Sequence, residues 1–244
     1  MKNFDYKEND EEGLQTLEAI SRAGNFNKWM FEQVNPCMSG HVLEIGSGIG
    51  NISVFFIKQG SDIVLSDIRD AYCDSLKEKF ASDGPVSVRN IDLVHPQFEQ
   101  VYADILNSFD GAFALNVIEH IEDDRLAMKN LISLLKPKGK VLILVPAWPW
   151  LYNNIDKSLY HFRRYTWKTL RQLFLDSNLL IEKQWMFNAL GIPAWFTGGK
   201  IMKKKEIEGG QMNTYDKLVP LARILDKLTF NRIGLSVIAV GTKR

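Results

Sequence analysis

Along the first 145 positions, apolar residues alternate between helical spacing and short continuous runs. From Gln15 to Val34 the spacing is helical, with Phe26, Trp29 and Met30 at i, i+3 and i+4 on one face. Asn35-Pro36 ends that stretch, because the residue before a proline is steered away from helical backbone. His41-Val-Leu-Glu-Ile45 is then a short apolar strand that runs directly into glycines. Ile52, Phe55 and Phe56 predict a helix closed by Gly60, and Asp62 to Ser66 predicts a second strand. Cys73, Leu76 and Phe80 mark the next helix, closed by Gly84. Pro85 to Asn90 reads as a third strand and Gly111 to Asn116 as a fourth. Glu122, Asp123 and Asp124 open a further helix, where negative charge suits the N-terminal dipole. Its buried face is Ala127, Leu131, Leu134 and Leu135, and Pro137 and Gly139 stop it. Val141 to Val145 is apolar throughout, as a strand covered on both faces should be.

Strands and helices in strict alternation predict a parallel sheet with helices on both faces. After Pro146 the rhythm changes to a loop rich in Trp, Pro and Tyr that reaches Tyr165. Thr166 can cap a helix with Leu170, Leu173 and Phe174 on one side. Ile181 to Phe187 and Leu235 to Thr242 supply a sixth and a seventh strand. Between them, Leu190 to Arg232 is mostly helical in pattern, and Pro220 is expected to kink or divide that segment. The chain holds no internal repeat.

Composition narrows the picture only modestly. Of 244 residues, 45% are hydrophobic and 24% charged, as in ordinary globular proteins, and only the acidic start from Glu8 to Glu12 suggests disorder. A net charge of +1 lacks the basic footprint that nucleic-acid binding requires, so no nucleic-acid partner is expected. Cys37 and Cys73 each adjoin apolar residues and read as reduced, buried thiols, with no metal site. No apolar run reaches the length of a membrane span, and the N-terminus lacks a signal-peptide pattern, so the expected location is cytoplasmic.

The densest chemical signal is Val42-Leu-Glu-Ile-Gly-Ser-Gly-Ile-Gly50-Asn51. Glycines at a strand exit let the backbone approach a ligand closely, and open α/β sheets bind ligands there. The spacing is G-x-G-x-G, whereas a dinucleotide fingerprint is G-x-G-x-x-G, with Asn51 in the place of its last glycine. Glu44 lies inside the strand, which nicotinamide sites do not require. Asp67 ends the second strand, where a carboxylate can accept hydrogen bonds from both hydroxyls of a ribose. Together these features point to an adenosine-containing ligand.

These residues resemble the class I S-adenosylmethionine-dependent methyltransferases, of the type 11/12-like small-molecule group. Val42 to Gly50 matches the first motif of that family and Asp67 the second. Asn90-Ile-Asp92-Leu93 is similar to the third, where the Asp accepts from the adenine amino group. Asn116-Val-Ile-Glu-His120-Ile resembles the motif that passes beneath the methionine moiety, and Leu135-Lys-Pro-Lys-Gly139 is the usual approach to strand five. Further on, Val145 to Tyr152 and His161-Phe-Arg-Arg-Tyr165 resemble a bacterial subgroup often found near glycosyltransferases. There the position of Trp148 is commonly His, so no catalytic role carries over to it.

The resemblance implies a Rossmann-like, seven-stranded, mostly parallel sheet with helices on both faces and a C-terminal helical and loop lid. It implies one domain over 1–244, with a helical cap at 1–40 and a cofactor-binding core at 41–146. An acceptor-side lid with strand six would fill 147–232, and the last strand, antiparallel, 233–244. The implied cofactor is S-adenosyl-L-methionine, leaving as S-adenosyl-L-homocysteine. Glu44, Gly46, Ser47, Gly48, Gly50, Asn51, Asp67, Ile68, Asp92, Leu93, Asn116 and Val117 are its candidate contacts, with Trp29 and Asn25 as contacts from the N-terminal segment.

On the acceptor side, His120 and His161 are candidate general bases, and His120 is equally readable as a residue packing on the cofactor. Arg164 and Tyr165 complete the candidate catalytic set; Arg164 either clamps an anionic acceptor or pairs with an acidic neighbour such as Asp156 to anchor the lid. Arg163 is expected to be structural, as is Glu119. Trp148, Trp150 and Tyr152 are candidates for an aromatic pocket wall, while Trp185, Phe187, Trp195 and Phe196 read as core. Lys203, Lys204 and Lys205, beside Ile201 and Met202, read as a solvated helix end or, at most, as a peripheral membrane contact. The expected reaction is methyl transfer by in-line displacement to a small-molecule acceptor, at oxygen, on a glycan or a lipid-linked intermediate. The alternatives are a non-catalytic adenosyl-ligand-binding module and a nicotinamide oxidoreductase. Oligomeric state is not readable from the sequence.

Overall fold

The computed structural model describes residues 11–84, 86–204 and 209–244, and the side chains of all of these except Glu11 and Glu12. Pro85, Lys205 and the acidic start as far as Asp10 lie outside the described residues. Among the described residues seven strands form one sheet: β1 (Val42–Ile45), β2 (Ile63–Asp67), β3 (Ser87–Asn90), β4 (Phe109–Leu115), β5 (Leu135–Pro146), β6 (Leu179–Phe187) and β7 (Ser236–Lys243). Their order is β3-β2-β1-β4-β5-β7-β6. β1 to β5 pair in parallel, and β7 runs antiparallel to both of its neighbours. Among the described residues ten α-helices accompany the sheet: α1 (Glu11–Ser21), α2 (Gly24–Val34), α3 (Ser53–Lys58), α4 (Asp70–Lys79), α5 (Phe98–Val101), α6 (Asp124–Leu134), α7 (Asn154–Ser158), α8 (Trp167–Asp176), α9 (Gly191–Trp195) and α10 (Gly209–Leu228).

Successive side chains on a strand point to opposite faces, which divides the core in two. Leu43, Ala112, Val141 and Ile143 pack under Leu131 of α6 and Leu170 and Phe174 of α8. Their neighbours Val42, Phe113 and Leu142 pack on the other face with Trp29 and Val34 of α2, Phe56 of α3 and Leu76 of α4. All four residues of β1 and all five of β2 are buried, which accounts for their apolar runs and leaves Glu44, Ser66 and Asp67 as buried polar groups within them.

Three expectations from the pattern need correction. The helix read across Gln15 to Val34 is two helices, because the chain turns at Ala23, which is fully buried against Ala19 and Met212. Leu135 belongs to β5, not to the preceding helix; it pairs with Phe109 before a bulge, and regular pairing resumes at Lys140 and Gly111. Pro220 does not divide α10, which is continuous through it. That proline is on the exposed side of the helix, where water can satisfy the carbonyl that loses its partner.

The strand order reverses between β1 and β4, the place where open α/β sheets hold ligands. Register sets Ile45 opposite both Ser66 and Ala114, so the chain leaves β1, β2 and β4 side by side.

Candidate active site

Gly46 leaves β1 with φ +70°, and a Cβ there would stand 2.4 Å from Cγ2 of Val117. Conformation and crowding therefore both demand glycine. The Ser47 amide donates to the Ser66 carbonyl (2.8 Å), and the Gly48 amide donates to Oδ2 of Asp67 (3.0 Å). The loop after β1 is thus stitched to the end of β2. Oδ1 of Asp67 accepts from the Arg69 amide (3.0 Å). An ionised carboxylate has about four acceptor sites, so Asp67 keeps spare ones for a ligand. Burial pushes its pKa up, against the pull of the Arg69 and Gly48 amides.

Glu44 lies beneath the same loop, 4% exposed, and accepts from Oγ of Ser53 at 2.5 Å. Burial raises its pKa to about 7, although the Ser53 and Ser47 hydroxyls oppose the shift. Asn51 donates to the Leu17 carbonyl (2.9 Å) and so ties α1 to the loop. Asp92 accepts from the Val94 amide (2.9 Å), while its own amide donates to the Tyr102 hydroxyl (2.8 Å). Asn116 follows β4 with φ +54°.

A second constellation follows β4 and β5. Glu119 and His120 occupy a short 3-10 turn, Ile118–His120, and the His161 ring meets that of His120 edge-on at 4.6 Å. Asp156 organises the loop after β5. Its Oδ1 partners Nδ1 of His161 (2.9 Å) and accepts from Nε of Arg164 (2.7 Å), and its Oδ2 accepts from the Asn153 amide (2.9 Å). Burial alone would raise Asp156, but the His161 hydrogen bond and the Arg164 charge hold it below the ordinary carboxylate range. Arg164 also donates to the Ala147 carbonyl (2.9 Å) and lies over the Trp195 ring at 4.6 Å. Burial lowers the pKa of His120 to about 3, and the neighbouring His161 ring and the Arg69 cation disfavour its charged form further. Glu119 is fully buried, and burial raises it to about 8.

The two constellations share one cavity of about 960 Å³. Glu44, Gly46, Ser47, Gly48 and Asn51 line it from the β1 side, and Asp67, Ile68, Asp92 and Leu93 from β2 and β3. Asn116, Val117 and His120 line it from β4, and His161 and Arg164 from the loop after β5. Gly50, Trp29 and Tyr165 are not among its lining residues. Trp29 is buried against Phe187, ring centroids 4.3 Å apart, which makes it core rather than a cofactor contact. Asn25 donates to Asp216 instead of reaching the cavity. The Tyr165 hydroxyl is spent on Asp124 (2.7 Å), and Arg163 pairs with the same carboxylate (2.7 Å).

The aromatic wall expected from Trp148, Trp150 and Tyr152 is elsewhere: none of the three lines the cavity. Trp148 donates to the Gly234 carbonyl, Tyr152 to the His161 carbonyl, and Trp150 is exposed. Trp195 and Phe187, read as core, do line it, and so do Tyr160, Asn188, Met212 and Tyr215, which sequence reasoning did not single out. One local signal was available. Asn153 and Asp156 form a capping box at the start of α7, and the Asn-x-x-Asp spacing marks it.

Residues 43–141 match the model of a methyltransferase domain. The chain is 29% identical over 106 residues to the ubiquinone/menaquinone biosynthesis C-methyltransferase of Idiomarina loihiensis, covering 42% of this chain and 41% of that one. It is 24% identical over 153 residues to a highly reducing polyketide synthase of Pyrenophora dematioidea, covering 59% of this chain and 6% of the synthase. The chain therefore spans less than half the length of these curated relatives. Among solved structures, phosphoethanolamine N-methyltransferase 2 of Haemonchus contortus, in complex with S-adenosyl-L-methionine, superposes with a TM-score of 0.58. That likeness covers 90% of this chain and 52% of that one at 18% identity, and it is a likeness of fold.

Proposed function

We propose that this chain, a class I S-adenosylmethionine-dependent methyltransferase by its matched domain and its fold, methylates an oxygen of a small, largely apolar acceptor. The observation that carries this reading is the single cavity joining the glycine loop and Asp67 to the histidine pair. Asp67 has acceptor sites left for a ribose, and Gly46 and Gly48 present bare backbone, so the residues fit an adenosyl cofactor. Asp92 would receive the adenine amino group, with Ile68 and Leu93 against the ring. Asn116, Val117 and Glu44 would surround the methionine moiety, and Gly50 and Asn51 would hold the loop in shape.

The cofactor supplies a methyl group on a sulfonium that is already activated to leave. What remains for the chain is to align the acceptor, exclude water and, for a hydroxyl acceptor, remove its proton. His161 is the residue in place for that, because Asp156 holds its Nδ1 and leaves Nε2 as the proton-accepting atom. His120, held neutral with its pKa near 3, is a weak base and serves as a hydrogen-bonding wall. Arg164 and Tyr165 are positioning residues, since their polar atoms are committed to Asp156, Ala147 and Asp124.

The acceptor end is lined by Phe187, Trp195, Met202, Met212, Tyr215 and Leu218, which suits a lipid-linked intermediate better than a free glycan. Near its mouth, α10 turns Leu218, Leu221, Ile224 and Leu228 outward, and exposed Phe230 and Ile233 follow. Exposed Lys217, Lys227 and Arg232 flank that stripe, a combination that favours peripheral contact with an anionic membrane surface. No described helix is long and apolar enough to cross a membrane.

Calorimetric titration with S-adenosylmethionine and S-adenosylhomocysteine tests the core of the proposal. Binding by the wild type that is lost in Asp67→Ala supports it. A wild type that binds neither ligand overturns it.

A further inference from the structure

Glu119 has no hydrogen-bond partner for either carboxyl oxygen among the described residues, although it is fully buried. An unsatisfied buried carboxyl is costly, and natural structures keep one where a ligand or ion completes it. Its Oε1 stands 4.0 Å from Nε2 of His161. One nitrogen of His120 joins them, and the three donor atoms all lie within 4.8 Å of one another.

We infer that Glu119, His120 and His161 form a binding site for one divalent transition metal ion, zinc or a close neighbour, with its open coordination positions facing the cavity. Two imidazoles and a carboxylate are a donor set of intermediate hardness, matched to zinc rather than to magnesium or calcium. In a tetrahedral site with bonds of about 2.0–2.1 Å, ligand atoms stand about 3.3 Å apart. The ion would draw the three groups together from their present spacing, at most 4.8 Å, to that value.

The surroundings of the three groups are those of metal ligands. A ligating histidine passes its other N–H to a carboxylate or carbonyl, which fixes its orientation. His161 does so through Nδ1 to Asp156 at 2.9 Å. For His120, the backbone carbonyls of Leu159 and Asn116 face the ring. A neutral imidazole has one N–H to give them, so its second nitrogen keeps a lone pair for an electrophile. His120 and His161 line the cavity, so an ion has a route in and at least one position left for water or for an oxygen of the acceptor. Three protein ligands and an open position are the pattern of a catalytic rather than a structural zinc site.

The site as such is independent of the methyl-transfer reading; only its use in catalysis rests on it. There, coordination would acidify an acceptor hydroxyl, whose proton leaves to solvent, and His161 would hold the ion in place of taking the proton.

The test titrates chelator-treated protein, free of S-adenosylmethionine, with Zn²⁺ alone and, separately, with Co²⁺. One equivalent of Zn²⁺ bound by the wild type and lost in both His120→Ala and His161→Ala supports the site. Asp156→Asn should weaken the affinity by roughly 10–100-fold. The visible bands of the Co²⁺ form should lose intensity in Glu119→Gln, whose amide is a poor ligand. Circular dichroism and urea unfolding like those of the wild type show that the variants remain folded, and S-adenosylhomocysteine affinity is measured on the wild-type protein. Absence of wild-type binding, or an unchanged isotherm in folded His120→Ala and His161→Ala, overturns the inference. Because S-adenosylhomocysteine binding is measured separately, failure of the metal site and failure of the methyltransferase reading are distinguishable.

Discussion

Replacing Gly46 by alanine should damage the loop proposed to hold the cofactor, for two separable reasons. At φ +70° a residue with a Cβ costs about 1–2 kcal/mol of conformational energy. The new methyl would also stand 2.4 Å from Cγ2 of Val117, an overlap that must be relieved by movement of β4's exit or of the loop. Overpacking of that kind costs about 1–3 kcal/mol. Gly46→Ala should therefore lose roughly 2–5 kcal/mol of stability in urea titration. Val117→Ala removes the atom that is struck. In that background the same glycine substitution should cost only the conformational part, about 1–2 kcal/mol. The double-mutant cycle thus isolates the contact. S-adenosylhomocysteine affinity, measured by calorimetry, should fall in Gly46→Ala and recover in part in the double variant. Strictly additive stability losses would refute the reasoning, as would a Gly46→Ala protein as stable as the wild type.

Three further outcomes are expected. Burial holds Glu44 at about 7 in the folded protein against an ordinary 4.5, so folding is favoured most below pH 4.5, and up to roughly 3 kcal/mol is lost as pH rises through 7. Urea titrations from pH 4.5 to 8 should show Glu44→Gln with a flatter profile than the wild type. Arg164→Met leaves the buried Asp156 carboxylate without its cation, and thermal or urea unfolding should register a loss of about 3–5 kcal/mol. Cosedimentation with phosphatidylserine-containing vesicles should fall in Leu221→Ser with Phe230→Ser, while S-adenosylhomocysteine binding stays intact; equal sedimentation of both proteins would remove the membrane reading of α10.

The half of the cavity proposed to hold the cofactor was brought together as the sequence suggested, because each of its parts is contiguous. A strand, its glycines and the Asp of the next strand are local patterns, and parallel pairing alone brings their ends together. The sheet was legible for the same reason, apart from boundaries where a residue satisfies two patterns. Leu135 fits the helical spacing of α6, yet its backbone pairs with Phe109. The acceptor half is different in kind. Asp156 gathers a histidine and an arginine from one loop and a tryptophan from α9, and only the pairing with an arginine was anticipated. Aromatic residues misled for a related reason: Trp148 and Trp195 carry the same chemical signal, but one reaches back to Gly234 and the other faces the cavity. Glu119 and His120 are neighbours in the chain, but His161 comes to them only through the loop after β5, so no spacing rule marks the trio.

β7 is the last strand in chain order, yet it fills the slot between β5 and β6. Until it arrives, the long edge of β5 has no neighbour, and β6 has no strand on either side. During synthesis the chain therefore passes through a stage in which the cofactor half can be complete while the sheet still offers an open apolar edge. A nascent chain at that stage is a target for chaperones and for pairing with a second copy of itself. Removing β7 would prolong the same exposure, so loss of these few residues should produce aggregation rather than a smaller folded enzyme.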